Sequence, residues 1–320
     1  MQMKPTAPLS GGDAVRTASE NGHHHSPGVY GPSGRSPWLD VDWREHQRWV
    51  SVDGQPVNTI DLGEGSPVVF VHGLAGSWPN WLEQLPVFAR DHRVIAMDLP
   101  GFGHSPMPRD EITISGYARL LDGLLDELGI NAAAVVGNSM GGFVSAELAI
   151  AFPQRVERLV LVSAAGLSTF QHPTRTRSLP LLHRFEQTLT AFTTWGAVNA
   201  DIIARRPRLR EAIFADLVSH PSQLGAPLAA ELIRGGGKPG FIEALKALST
   251  RSVRDRLGEI ACPTLIVWGD RDRLVPVRDA DVFAELIPGS RNVVFQDTGH
   301  MAILERPDAF NSLLRGFFEE

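Results

Sequence analysis

Six short runs dense in Val, Ile and Leu recur along the chain, at Pro67–Val71, Arg93–Met97, Ala133–Val136, Leu159–Val162, Thr264–Val267 and Asn292–Phe295. Apolar runs of this length, without alternation, fit parallel strands whose two faces are both covered by helices. Helical periodicity fills the intervals at Trp81–Arg90, Ile114–Leu128, Phe143–Phe152, Ala280–Leu286 and Pro307–Phe318. Strands alternating with helices imply a mostly parallel, doubly wound α/β sheet. An earlier run, Val57–Asp61, follows an Asp53-Gly54 turn and is expected to be antiparallel.

One stretch breaks the alternation. Between Val162 and Thr264 about a hundred residues show helical periodicity and no strand of the core type. Such an insertion is expected to cap the C-terminal edge of the sheet, where α/β sheets place their sites. The expected organisation is a core of residues 38–165 and 259–320, a helical cap at 166–258, and a disordered tail at 1–37. The tail is rich in Pro, Gly and Ser and lacks the continuous apolar segment of a signal peptide, so a cytoplasmic location is expected.

With 320 residues, 43% of them hydrophobic, the chain can bury a sizeable core. Its net charge of −6 gives no reason to expect a nucleic-acid partner. No apolar stretch reaches the roughly 18 residues needed to cross a bilayer, so no stable membrane insertion is expected. The cap segment carries 13 Lys/Arg against 7 Asp/Glu. That excess suits anionic substrates or lipid surfaces, although a solvated basic face is the plainer reading. The single cysteine, Cys262, excludes an intrachain disulfide and reads as a structural thiol. His23, His24 and His25 are consecutive in the tail and read as incidental; no metal site and no cofactor are expected.

Chemistry concentrates at Val136-Gly137-Asn138-Ser139-Met140-Gly141-Gly142. A Gly-x-Ser-x-Gly run between a strand and a helix places the serine on a sharp turn with its hydroxyl above the sheet. The motif alone is weak; its company strengthens it. A serine needs a base to take its proton during attack, and histidine suits that task. His300 follows the Asn292–Phe295 strand and a glycine. A third group must hold the imidazole in its working tautomer. Two carboxylates, Asp270 and Asp272, compete for that role after the Thr264–Val267 strand. Attack on an acyl carbon also needs preset hydrogen-bond donors for the oxyanion. The backbone N–H of Met140, at the start of a helix, is one candidate.

From about Val50 to Glu320 the chain resembles the α/β-hydrolase superfamily. The matching motifs are His72-Gly73-Leu74-Ala75-Gly76, Asp98-Leu99-Pro100-Gly101-Phe102-Gly103-His104-Ser105, the serine elbow, Trp268-Gly269-Asp270-Arg271-Asp272 and Gly299-His300. The resemblance implies a Ser139–Asp272–His300 triad, with Asp270 left as a turn residue and Asp297 as a loop residue. It implies Leu74 as the second oxyanion donor, His72 as a support for that loop, and a structural role for the His104 turn.

Serine rather than aspartate at the elbow sets aside the dehalogenase and epoxide-hydrolase branches. Three function classes remain. The leading expectation is a carboxylic-ester hydrolase for short to medium acyl chains, acting on a small-molecule ester through an acyl-enzyme. Phe170, Leu179, Phe185, Phe192, Trp195 and Phe214 of the cap, together with Met301, are its candidate substrate contacts. The alternative is a carbon–carbon bond hydrolase of ring-cleavage dienones, suggested by Gly-Asn-Ser-Met-Gly-Gly, with Arg234 as the clamp for a substrate carboxylate. Against it, Leu74 and Ala75 stand where those enzymes carry glycines, and Met301 stands where they carry tryptophan. The third class is a non-catalytic binding protein of this fold. Gly235-Gly236-Gly237 reads as either a hinge or a plain loop.

Overall fold

The computed structural model describes residues 23–25, 28–167 and 196–320. Its strands are β1 (His23–His25), β2 (Gln47–Val52), β3 (Gln55–Leu62), β4 (Ser66–Val71), β5 (His92–Met97), β6 (Ala133–Asn138), β7 (Val156–Val162), β8 (Thr264–Gly269) and β9 (Arg291–Phe295). They form one nine-stranded sheet in the order β1-β9-β8-β7-β6-β4-β5-β3-β2. From β5 through β4 to β9 and β1 every neighbouring pair is parallel; the β5–β3 and β3–β2 pairs are antiparallel, so β3 alone is reversed. The chain runs outward from β4 to β5, then crosses back to place β6 on the other side of β4. Between β4 and β6, therefore, the winding reverses, and loops leaving the two strands diverge to open a crevice.

Alternation within each strand divides the core into two. Val69, Val71, Val135, Ile266 and Trp268 face one buried cluster, and Val68, Phe70, Val136, Leu265 and Val267 face the other. That is why these strands read as unbroken apolar runs: neither face meets water. The helix Met140–Ala151 lies inside the first cluster with only Ala151 exposed. The helix Ile114–Glu127 covers it and presents its polar side to solvent.

Two elements depart from the sequence expectations. β2 was not foreseen, because it is an edge strand with exposed polar residues and a Trp49 that is 56% exposed. It pairs with β3 through a hairpin whose turn residues Asp53 and Gly54 have φ of 49° and 77°, as a two-residue primed turn requires. The second concerns the described residues 23–25 and 28–37 of the segment 1–37, which was expected as a disordered tail. His23–His25 add an edge strand parallel to β9, and individual residues of 28–37, most of which are exposed, hydrogen-bond to the body. The Gly31 N–H donates to the Glu305 carbonyl at 2.8 Å and the Ser33 N–H to Asp308 at 2.8 Å. The Ser36 hydroxyl and the Trp38 indole N–H both donate to the buried Glu83 carboxylate. Composition gave no hint of these specific acceptors.

Between β7 and β8 the described residues hold the helices Ala200–Ala204, Pro207–Phe214, Ala226–Gly235 and Phe241–Thr250. They are not detached from the core. Phe214, Leu224 and Leu228 join one core cluster, and Ala244, Ala247 and Leu248 join the other. No helix among the described residues is long and apolar enough to cross a membrane.

Candidate active site

Ser139 sits between the last residue of β6 and the first turn of the helix Met140–Ala151, with φ 55° and ψ −116°. Few non-glycine residues adopt this conformation, and three backbone hydrogen bonds hold it. The Ser139 N–H donates to Val162 O at 2.9 Å; its carbonyl accepts from Ala165 N at 3.0 Å and Phe143 N at 3.2 Å. The flanking glycines are there because side chains would not fit. A Cβ on Gly137 would stand 2.3 Å from Gly141 O, and one on Gly141 would stand 2.1 Å from Val71 O. Met140, as the first residue of the helix, has an N–H with no intrahelical acceptor.

His300 follows β9 and meets the loop that follows β8. Its Nδ1 lies 2.7 Å from Asp272 Oδ2, with both side chains buried. Asp272 Oδ1 accepts the N–H groups of Leu274 and Val275, each at 2.9 Å, so both carboxylate oxygens are engaged. The Trp268 indole N–H fixes the same loop by donating to Val275 O. Asp270, exposed, instead accepts the Thr298 N–H at 3.1 Å. Asp297 faces away from His300, toward His220, Arg271 and Arg306.

The loop after β4 brings Gly73 to Ser139: a Cβ there would lie 3.1 Å from the serine Cβ. His72 is fully buried beneath it. Its Nδ1 is 2.8 Å from the Gly73 carbonyl, and its Nε2 accepts the Leu99 N–H at 3.0 Å. Both ring nitrogens are therefore occupied by backbone, which fits a neutral imidazole protonated on Nδ1. Burial pushes its pKa below the ordinary value of 6.5. Asp98, also buried, accepts from Trp78 N, His104 N and Asn58 Nδ2, tying the loops after β4 and β5 together. The His104 side chain is exposed.

A cavity of about 340 Å³ opens over the serine. Ser139 and His300 both line it, with Leu74, Phe214 and Met301 among the sequence candidates. Phe170, Leu179, Phe185, Phe192 and Trp195 lie outside the described residues. Leu217, Val218, Leu232, Phe241, Leu245 and Leu248 of the segment between β7 and β8 supply a further part of the wall. Sequence reasoning missed these, because a leucine facing a cavity has the same helical spacing as one facing the core. It also missed Asn80 and Asn138, the cavity's amide side chains. Asn138 precedes the serine in the elbow, and its amide reaches Val162 O at 3.2 Å and His300 O at 3.5 Å.

Arg234 does not line the cavity; its guanidinium is taken by Asp201 and Glu231. Gly235 ends its helix against Ser77, whose Oγ would be 2.6 Å from an added Cβ, so this glycine has a packing reason. Cys262 is half-buried, and burial raises its thiol pKa. Among the described residues no group of three His, Cys, Asp or Glu side chains is placed to hold a metal.

Residues 66–307 match the α/β hydrolase fold family. The chain is 33% identical over 280 residues to a dihydrolipoyllysine-residue acetyltransferase component of an acetoin cleaving system from Cupriavidus necator, covering 84% of this chain and 68% of that protein. It is 32% identical over 289 residues to a 2-hydroxy-6-oxo-2,4-heptadienoate hydrolase from Pseudomonas putida, covering 84% and 95%. Among solved structures, a meta-cleavage product hydrolase from Pseudomonas fluorescens superimposes with a TM-score of 0.67 at 25% identity, covering 86% and 98%. With this extent of match and the strand–Ser139–helix geometry above, the chain belongs to the α/β-hydrolase family.

Proposed function

We propose that the chain is a serine hydrolase that cleaves a neutral ester or lactone with an apolar substituent. The observation that carries this reading is the cavity wall. Apart from Asn80, Asn138, Ser139 and His300, every described side chain lining it is apolar, or the residue is glycine. Hydrocarbon placed there gains roughly 25 cal/mol for each Å² removed from water, whereas a carboxylate would find no cation among the described lining residues.

In this mechanism Ser139 Oγ attacks the carbonyl carbon as its proton passes to His300 Nε2. Asp272 holds His300 Nδ1–H and stabilises the imidazolium. The N–H groups of Leu74 and Met140 receive the oxyanion, aided by the positive end of the helix Met140–Ala151. Collapse breaks the C–O bond, and His300 protonates the departing alkoxide. Water, deprotonated by His300, then frees the acid and returns the serine.

A second reading is hydrolysis of a carbon–carbon bond in a ring-cleavage dienone. The names of the relatives favour it, and favour it more than they favour ester hydrolysis. The dienoates in those names carry a carboxylate, whereas Arg234 is paired with Asp201 and Glu231 away from the cavity. Only an assay of both bond classes separates the two. Wild type and Ser139→Ala are compared on p-nitrophenyl esters from acetate to palmitate and on 2-hydroxy-6-oxohepta-2,4-dienoate. Ester turnover that falls on the order of 10⁴-fold in Ser139→Ala, with folding kept, is expected. Serine-dependent turnover of the dienoate above that of the best ester would move the assignment to carbon–carbon hydrolysis. Folded protein inert to both would leave a binding role, and undiminished turnover in Ser139→Ala would remove the serine from the mechanism.

A further inference from the structure

We infer that Glu305 is a positioning residue that fixes His300 in register with the segment 217–220 of the cap region. Glu305 is fully buried in the helix Ala302–Glu305, just beyond the histidine loop. A buried carboxylate is costly unless donors surround it, and here four do. Gly299 N–H lies 2.9 Å from Oε1 and Met301 N–H lies 3.3 Å from the same oxygen. Ser219 N–H and the Ser219 hydroxyl reach Oε2 at 2.8 and 2.7 Å. The residues on either side of His300 are thus held by one carboxylate. The His300 N–H itself donates to the Leu217 carbonyl at 2.9 Å.

Three consecutive N–H groups, 299 to 301, are therefore fixed by Glu305 and by the same short segment that Glu305 also grips. That segment supplies Leu217 and Val218 to the cavity wall. The substrate wall and the imidazole are consequently parts of one hydrogen-bonded unit. Burial raises the Glu305 pKa, with the surrounding donors pulling it the other way. A carboxylate suits this place better than its amide. Glutamine offers one acceptor oxygen to four donors, and its NH₂ would face N–H groups that need acceptors. The loop would then shift, and a displacement of about 1 Å at a reacting group costs on the order of 10²-fold in rate.

The inference rests on His300 acting as the base, and the test keeps the two apart. Glu305→Gln and Ser219→Ala are compared with wild type and Ser139→Ala. The readouts are kcat and KM on the best ester, the rate of fluorophosphonate labelling of Ser139, and thermal unfolding. Glu305→Gln is expected to lower kcat and the labelling rate on the order of 10²-fold, with KM changed less than about twofold. Ser219→Ala, which removes a single donor, is expected to lower both rates by a smaller factor in the same way. Folded Glu305→Gln with wild-type kcat, or a loss confined to KM, would overturn the inference. Should Glu305→Gln not fold, unchanged kcat and labelling in Ser219→Ala would overturn it alone. Turnover kept in Ser139→Ala would defeat the serine reading, whereas turnover lost there but kept in Glu305→Gln would defeat only the present one.

Discussion

At Ser139 a strained backbone is held by its neighbours. The left-handed φ turns the side chain toward the cavity, and hydrogen bonds to Val162, Ala165 and Phe143 keep it there. Gly141 makes the arrangement possible, because strand β4 passes through the space a side chain would fill. Gly141→Ala would set a methyl group 2.1 Å from the Val71 carbonyl, a contact with backbone that no rotamer relieves. The expected loss is about 3 kcal/mol or more, read from urea denaturation. A variant as stable as wild type would mean that β4 and the elbow can separate more easily than their packing implies.

Among the elements, the loops decide the site while the strands only aim them. The loops after β4 and β5 are joined through Asp98, and those after β8 and β9 through the Arg271 N–H to the Thr298 carbonyl. Asp98→Ala would leave the N–H groups of Trp78 and His104 and the Asn58 amide without their acceptor. Each buried donor left unpaired costs roughly 1–3 kcal/mol. Destabilisation of ~3 kcal/mol or more is therefore expected in denaturant melts. Ester turnover should fall as well, because the loop that carries Leu74 runs directly into Trp78. Unchanged stability would show that these donors find other acceptors.

For the whole molecule, buried titratable groups set how stability follows pH. His72 stays neutral in the fold because burial lowers its pKa, while in the unfolded chain it takes a proton below about 6.5. The unfolded state then binds more protons, so this contribution is present above the ordinary histidine range and is lost as pH falls through it. Glu83 and Glu305, raised by burial, act with the opposite sign: their contribution is present at low pH and is lost as pH rises through their raised values. His72→Gln is expected to flatten the fall in stability between about pH 7 and about pH 5, measured as the shift in urea midpoint. An identical decline in both proteins would show that His72 does not carry it.

Much of this protein was legible from residue order alone. The six apolar runs became β4 to β9 because strands buried on both faces need no polar alternation. Ser139 and His300 were singled out because each stands past a strand end, and parallel strands bring such ends to one edge; Asp272 was preferred to Asp270 only through the resemblance of Trp268-Gly269-Asp270-Arg271-Asp272 to the family motif. Side-chain contact was beyond the sequence. Asp272 and Asp270 stand two residues apart, and the choice between them follows from which one the loop turns toward His300. Arg234 looked like an anion clamp, yet Asp201, distant in sequence, neutralises it. Glu305 belongs to no motif, and only the fold surrounds it with four donors. Periodicity and motif order are local properties, so the chain alone determined the sheet and which residues stand at its edge. Which groups meet from distant parts of the chain depends on packing, and only the tertiary structure decided that.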